Sequence, residues 1–541
     1  MADILVQYPL VLLFTVAAIG YLLGNIKIAG GSIGVAAVLF VGLAFGAADA
    51  RFDIPDIVFQ LGLSIFVYSI GLSSGPAFFK AYKKNGIRDF GFATSMLLLS
   101  GIVAAGLWYL FDFSAATITG AYAGSTTNTP ALAGVLDYVG GSADSEQIKL
   151  VSQQAVIGYT FSYPMGVVGG IIAIIVMEKW LKIDYKEEAY TLRKEFPVAE
   201  KLTSQSIKVT NPDYCGGPLR DFYQERDWNV AFGRVIRQKE HSLVNWSTQF
   251  QLDDIVVVVG NKEEITKVAD ALGVKVKSSK TTDKRNFDTR RIFVSNPKVT
   301  GRTIASLNLN ERFDTIITRL RRGDVDMLVR SDTVLELGDR IRFIARRKDL
   351  NKLSEFFGDS YSAVGRINLF SFGLGIGLGL IIGSIEIPMP GFSIKLGYAG
   401  GPLIVGLLLG AIRRTGNIVW TLPYAANITL QQVGLMLLLA TIGITSGSAF
   451  SESMDITSLW IFLASAVISL ITAFAILFVG YRVVKIPFSL LMGMVSNNPA
   501  ILDFALERSG NRLPMFGFSQ IFPIALIFKI LIAQVLYLVL S

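Results

Sequence analysis

Gly124-Ser125-Thr126-Thr127-Asn128-Thr129-Pro130 interrupts an otherwise apolar stretch spanning 115–139. Each flanking arm holds about ten residues and, as a helix, reaches about 15 Å, half the hydrocarbon thickness of a bilayer. A polar, proline-broken backbone at that depth must be buried in protein or line an aqueous cavity, because lipid offers no hydrogen-bond partners. The pattern returns as Gly493-Met494-Val495-Ser496-Asn497-Asn498-Pro499, inside the stretch 487–507. Both stretches are predicted to be broken, re-entrant segments with their tips near the bilayer midplane.

The recurrence extends outward. Ile70-Gly71-Leu72-Ser73-Ser74-Gly75-Pro76-Ala77-Phe78 matches Ile442-Gly443-Ile444-Thr445-Ser446-Gly447-Ser448-Ala449-Phe450, and Gly30-Gly31 matches Gly400-Gly401. Gly75 to Gly447, Pro130 to Pro499 and Gly30 to Gly400 are offsets of 372, 369 and 370 residues, so the chain contains a repeat. Apolar runs near 8–24, 32–49, 57–79, 89–111 and 152–180 give five crossings in the first half. Runs near 367–384, 397–413, 431–450, 457–480 and 515–540 give five in the second. Lys and Arg collect in cytoplasmic loops. Lys80, Lys83, Lys84 and Arg88 therefore put the loop after Phe78 inside, whereas Glu452 and Asp455 put its counterpart outside. The expected fold is an α-helical polytopic membrane protein: two inverted repeats of about five crossings, each with a broken hairpin, and an inserted α+β cytoplasmic region. Such repeats place substrate near the midplane at their interface.

Composition agrees. Of 541 residues, 52% are hydrophobic and 17% charged, against about 25% charged in an ordinary soluble domain. The charge concentrates in the middle third. The net charge of +8 is ascribed to cytoplasmic loops, and no nucleic-acid partner is expected. No basic region precedes the first apolar run, so Pro9–Leu23 is expected to be a retained membrane segment. One cysteine, Cys215, excludes an intrachain disulfide. With a single histidine, His241, no metal or other cofactor is expected. No Ser–His–acid set, catalytic carboxylate pair or Walker phosphate loop is present, so neither an enzyme nor an ATP-driven pump is expected, and transport would draw on an ion gradient or on exchange.

Residues 181–365 lack a membrane-length run. They hold two similar modules, each reading as strands closed by a helix. The first has Ser206–Thr210, Asp254–Gly260 and a helix Glu263–Leu272; the second has Arg291–Ser295, Leu337–Ile344 and a helix Lys348–Phe357. No Gly-x-Gly-x-x-Gly follows a strand, so a dinucleotide fold is not indicated.

Pro130 and Pro499 suit the first turn of a following helix, making Asn128/Thr129 and Asn497/Asn498 helix entries. Free N–H groups and the positive dipole end there favour a carboxylate. The hydroxyls and amides of Ser125, Thr126, Thr127, Asn128, Thr129, Ser496, Asn497 and Asn498 add donors, and acceptors for a coupling cation. Ser73, Ser74, Thr445 and Ser446 are further candidates, although small residues at this spacing also serve tight helix packing. Gly375, Gly379 and Gly383 are read as packing. Lys529 lies in the apolar run Pro523–Leu540; an intramembrane cation is costly and signals function or a snorkelling side chain. Gln153, Gln154, Tyr159, Tyr163 and Gln520 fall in or beside the last segment of each half.

Leu337-Gly338-Asp339 and the strand after it resemble the RCK C-terminal (TrkA-C) domain, and the first module resembles a second copy in which Leu252-Asp253-Asp254 replaces the Gly-Asp pair. Across nearly its whole length the chain resembles the aspartate:alanine exchanger family. The motifs are Ser73-Ser74-Gly75-Pro76 with Phe78, Thr127-Asn128-Thr129-Pro130-Ala131-Leu132, and Ser496-Asn497-Asn498-Pro499-Ala500. The resemblance implies electrogenic exchange of aspartate for alanine by a homodimer in a bacterial cytoplasmic membrane, with a small ligand or a subunit contact at the TrkA-C domains. Alternatives are a dicarboxylate or cation-coupled anion carrier, or a channel gated by the cytosolic domains. The expected domains are residues 1–180, 181–284, 285–365 and 366–541.

Overall fold

The computed structural model describes residues 2–541 except 25, 29–30, 33–34, 36, 141–144, 193–201, 227, 239, 277–286, 323–324, 361–367, 390–391, 453–455, 497–498 and 512. The chain forms two compact units. One comprises 1–198, 369–413 and 427–541; the other comprises 199–368 and 414–426.

In the helical unit the first half runs α1 (Ala2–Gln7), α2 (Pro9–Gly24), a short hairpin β1–β2 (Lys27–Ile28, Gly31–Ser32), α3 (Ala37–Ala48), α4 (Asp56–Phe111), α5 (Ala115–Ser125), α6 (Thr129–Gly140), α7 (Ser145–Leu181) and α8 (Tyr185–Leu192). The sequence predicts two segments where α4 is one. The charged stretch between them is rich in Ala and Lys, good helix formers, and stays helical. The chain nevertheless reverses there. Phe78 and Phe90 stack with ring centroids 5.2 Å apart, whereas twelve residues of straight helix would separate them by about 18 Å. Asp56–Pro76 and Arg88–Phe111 are thus two arms, each long and apolar enough to cross a bilayer.

The other unit begins with a five-stranded antiparallel sheet ordered β5-β4-β6-β3-β7. Its elements are β3 (Thr203–Val209), α9 (Leu219–Arg226), β4 (Ala231–Arg237), β5 (Glu240–Leu243), β6 (Ile255–Gly260), α10 (Lys262–Leu272) and β7 (Gly273–Val276). The second sheet is ordered β10-β9-β11-β8, from β8 (Phe287–Phe293), α11 (Leu309–Phe313), β9 (Thr315–Arg322), β10 (Val325–Met327), β11 (Arg340–Arg346) and α12 (Leu350–Phe357). One clamp recurs in both modules. Arg237 grips Asp254 with two hydrogen bonds of 2.9 and 2.8 Å and donates to Gln249 O; Arg322 grips Asp339 at 2.8 and 2.7 Å and donates to Val334 O. Asp253 takes a left-handed φ of +70°, where the second module has Gly338 at +90°. The departure seen in the first copy is therefore a change of residue at a conserved backbone conformation, which Asp tolerates better than most side chains.

The second half follows with α13 (Leu369–Gly383), hairpin β12–β13 (Glu386–Met389, Phe392–Lys395), α14 (Gly397–Ile412), hairpin β14–β15 (Arg414–Thr415, Ile418–Val419), α15 (Tyr424–Glu452), α16 (Ile456–Arg482), α17 (Phe488–Val495), α18 (Pro499–Ser509) and α19 (Leu513–Leu540). Among the described residues six spans are long and apolar enough to cross a membrane, the two arms of α4 among them, and α2, α3, α13 and α14 are shorter apolar helices. Each half therefore supplies five apolar segments and one broken pair, α5/α6 or α17/α18.

The halves interlock through glycines. Gly42 and Gly46 of α3 lie against Gly443, Ile444 and Gly447 of α15, while Gly71 and Gly75 of α4 lie against Leu403, Gly406 and Leu407 of α14. In both pairs the residue numbers rise together, so the helices run parallel. The first arm of α4 and its repeat-mate α15 instead cross with numbers opposed: Gly62 meets Gly434, Leu437 and Leu438, and Phe66 meets Gly434. Repeat-mates running antiparallel are what an inverted repeat requires. A Cβ on Gly62 would stand 2.8 Å from Gly434 O, so the crossing admits no larger residue. One repeat match is displaced. Gly31 lies in β2, whereas Gly400 and Gly401 lie in α14; the seam makes Gly42 and Gly46 the counterparts of Gly406 and Gly410.

Candidate functional site: a cavity between two helix breaks

The first break closes on itself. α5 ends at Ser125, Thr126 and Thr127 turn, and α6 begins at Thr129. Asn128 Oδ1 accepts the Ala131 N–H at 3.0 Å, so Asn128 caps α6 with one of the preferred capping residues. Pro130 occupies the first turn, where a missing N–H costs nothing. Thr129 Oγ1 and Tyr159 OH lie 2.7 Å apart, fastening the break to α7. Thr127 adopts φ +47°, a left-handed conformation that is a real outlier for a β-branched residue. Its buried hydroxyl has no hydrogen-bond partner among the described residues, and such strain with an unmet polar group gathers at functional sites. Ser125 and Thr126 turn their hydroxyls back to Ala121 O (2.6 Å) and Tyr122 O (2.9 Å).

The second break is approached from the other end of α7. Ser114, the N-cap of α5, donates to Gln154 Oε1 near the start of α7. Arg508, at the end of α18, forms a forked pair with Glu178 near the end of α7, with contacts of 2.9 and 3.0 Å from Nε. Tyr185 OH donates to the same carboxylate at 2.6 Å. Glu188 of α8 accepts from Phe488 N (2.7 Å), Ser489 N (2.9 Å) and Ser489 Oγ (2.6 Å), capping the first turn of α17. Ser496 is buried and returns its hydroxyl to Met492 O. Asn497 and Asn498 lie outside the described residues, as does the Pro499 side chain, although Pro499 opens α18.

Between the breaks lies a cavity of about 40 Å³. Ser125 and Thr126 line it from the first break, Met494 and Val495 from the second, Ser469 and Thr472 from α16, and Lys529 from α19. Lys529 is 2% exposed. Its Nζ donates to Thr126 O at 3.1 Å, at the C-terminal, negative end of the α5 dipole. No carboxylate pairs with it among the described residues. The Thr472 hydroxyl is also buried without a partner among the described residues. The volume is that of a few waters and far below the ~300 Å³ or more of an ordinary ligand pocket.

The structure brings Ser125, Thr126 and Lys529 to one cavity, with Thr127, Asn128, Thr129 and Pro130 in the turn behind it. Ser73, Ser74 and Thr445 are not among its lining residues, and the Ser446 side chain lies outside the described residues. Ser73 and Thr445 are exposed and bond back to Ile70 O and Thr441 O, while their neighbouring glycines form the seam. Ser469 and Thr472 escaped the sequence reading, although Ser465, Ser469 and Thr472 recur at helical spacing in an apolar run. Gly166 of α7 was also missed; a Cβ there would press to 2.7 Å from Thr127 Cγ2.

Residues 12–179 and 371–538 both match a family model described as a predicted permease membrane region, and residues 289–358 match the TrkA-C domain. The chain is 45% identical over 541 residues to an uncharacterized transporter of Geobacter sulfurreducens, with 99% of each chain covered. It is 41% identical over 546 residues to one of Symbiobacterium thermophilum and 39% identical over 546 to one of Corynebacterium diphtheriae, with both chains fully covered in each case.

Proposed function

The chain belongs to the family whose predicted permease region both of its halves match, and from that premise we propose that this transporter is an antiporter exchanging small carboxylates, aspartate and alanine foremost, by alternating access. One observation carries the reading: a buried ammonium, Lys529, faces the cavity between the two helix breaks and has no carboxylate partner among the described residues. Burying an uncompensated charge is expensive, and a solute carboxylate would relieve it. The first break also sets opposite dipole ends side by side: the C-terminus of α5, held by Lys529, would suit an amino group once that ammonium turns to the solute carboxylate, and the N-terminus of α6 suits a carboxylate. That pairing favours an amino acid over a plain dicarboxylate such as succinate.

In this reading the chain is not an enzyme and works as a homodimer in a bacterial cytoplasmic membrane, with residues 181–365 on the cytoplasmic side. Residues 1–180 and 366–541 act as the two membrane repeats, and 181–284 and 285–365 as two RCK C-terminal-like domains. Purified protein reconstituted in liposomes tests the proposal. Uptake of labelled aspartate should depend on aspartate or alanine inside and fall sharply with succinate inside. Equal uptake into empty vesicles would remove exchange, and equal drive by succinate would remove amino-acid selectivity.

A further inference from the structure

The second soluble module carries three arginines side by side. On the β8–β11–β9 ladder, Arg342 lies directly opposite Arg291 on one side and Arg319 on the other. Like charges facing one another across strands are destabilising. At Arg291 and Arg342 no carboxylate offsets them by a hydrogen bond among the described residues, whereas Asp326 attracts Arg319. Arg319 Nη1 donates to Leu202 O at 3.2 Å, while its buried Nε has no partner among the described residues. Arg319 and Arg342 are half-buried. Burial pulls both below the usual arginine range; at Arg342 the guanidiniums of Arg319 and Arg291 add to it, while at Arg319 the attraction of Asp326 opposes it and Arg291 adds to it.

The first module shows that the fold does not require this row. It shares the Arg–Asp clamp and the same ladder, with an irregularity at the same step. Counted from the clamp, Arg291, Arg342 and Arg319 correspond to Ser206, Val257 and Arg234, and Val257 pairs with both Ser206 and Arg234. Two of the three cations are thus an addition peculiar to the second module. They sit beside the junction of the two modules, where Gly233 approaches Ile344 and Thr318 within 3.1 and 3.9 Å of an added Cβ.

We propose that Arg291, Arg319 and Arg342 form a binding site for a compact polyvalent anion, phosphorylated or polycarboxylate, in the soluble unit. Guanidiniums recognise such groups through paired, charge-assisted hydrogen bonds, and a bound anion would cancel the repulsion that the bare row carries.

Full-length protein in detergent can be titrated calorimetrically with pyrophosphate and, separately, with citrate, at matched ionic strength so that general screening is constant. Saturable binding of at least one is expected, weakened about tenfold or more in Arg342→Gln and in Arg319→Gln, and unchanged in Arg302→Gln, an exposed arginine outside the row. Binding of pyrophosphate alone assigns a phosphorylated ligand; binding of citrate alone assigns a carboxylate. In anion-free buffer Arg342→Gln should melt at a temperature no lower than the parent, because a repulsive neighbour is gone. Absence of heat with both anions, or undiminished affinity in both row variants, overturns the proposal.

Discussion

The two helix breaks face one cavity but are held by different means. Between α5 and α6 the ties are mostly local: a cap three residues long, a left-handed threonine and one hydroxyl pair to Tyr159, beside the remote contact of Lys529 with Thr126 O. At α17 and α18 they are remote, with Glu188 and Glu178 reaching across 300 and 330 residues of chain to the outer ends of the two half-helices. A wall made by short-range chemistry keeps its shape when neighbours move. A wall tied at its ends moves with whatever carries the ties. In the proposed exchanger the contrast would make the first break the fixed recognition surface and the second the part whose position is set by α7 and α8.

Lys529→Met strikes at that contrast most strongly. Removing a charge-assisted contact of about 1.5–3 kcal/mol should lower aspartate uptake about 10- to 100-fold in protein that still elutes as a folded species. Unchanged uptake would mean that the first break is not where solute is recognised. Glu188→Ala comes next, costing about 2 kcal/mol of local stability by uncapping α17. Hydrogen exchange should then rise across 488–495 and not across 115–125; equal rises at both breaks would erase the distinction. Asn128→Ala should cost about 1 kcal/mol, read as a lower melting temperature, with exchange impaired beyond what that loss explains. Thr127→Gly is the smallest and opposite in sign. Relief of a left-handed conformation worth about 1–2 kcal/mol, less glycine's entropy of about 0.5–1 kcal/mol, leaves a gain of about 0.5 kcal/mol. A higher melting temperature with reduced uptake would give the Thr127 hydroxyl a role in binding, whereas full uptake would leave it none.

The first break was legible because its signals are local. Polar residues and a proline inside an apolar run mark an interruption, and Asn two residues before Pro marks a cap. Lys529 was legible as a lone cation among aliphatic side chains. The ties of Glu188 and Glu178 were not, since a carboxylate on a charged helix looks like any solvated group until the chain is folded. Ser469 and Thr472 were hidden for the opposite reason: hydroxyls on a membrane helix usually bond their own backbone, and only packing shows which ones open onto a cavity. The first soluble module looked divergent because Asp253 stands where glycine is expected, yet backbone conformation, not residue identity, is what that turn preserves.

The bond from Lys529 to Thr126 spans 403 residues, and that separation sets a schedule. At about 5–20 residues per second, translation delivers the ammonium roughly 20–80 s after the carbonyl it will meet. Through that interval the newborn first half must persist beside lipid and insertion machinery with its turn already shaped and its cation not yet synthesised. The self-contained bonding of that turn is what lets it wait.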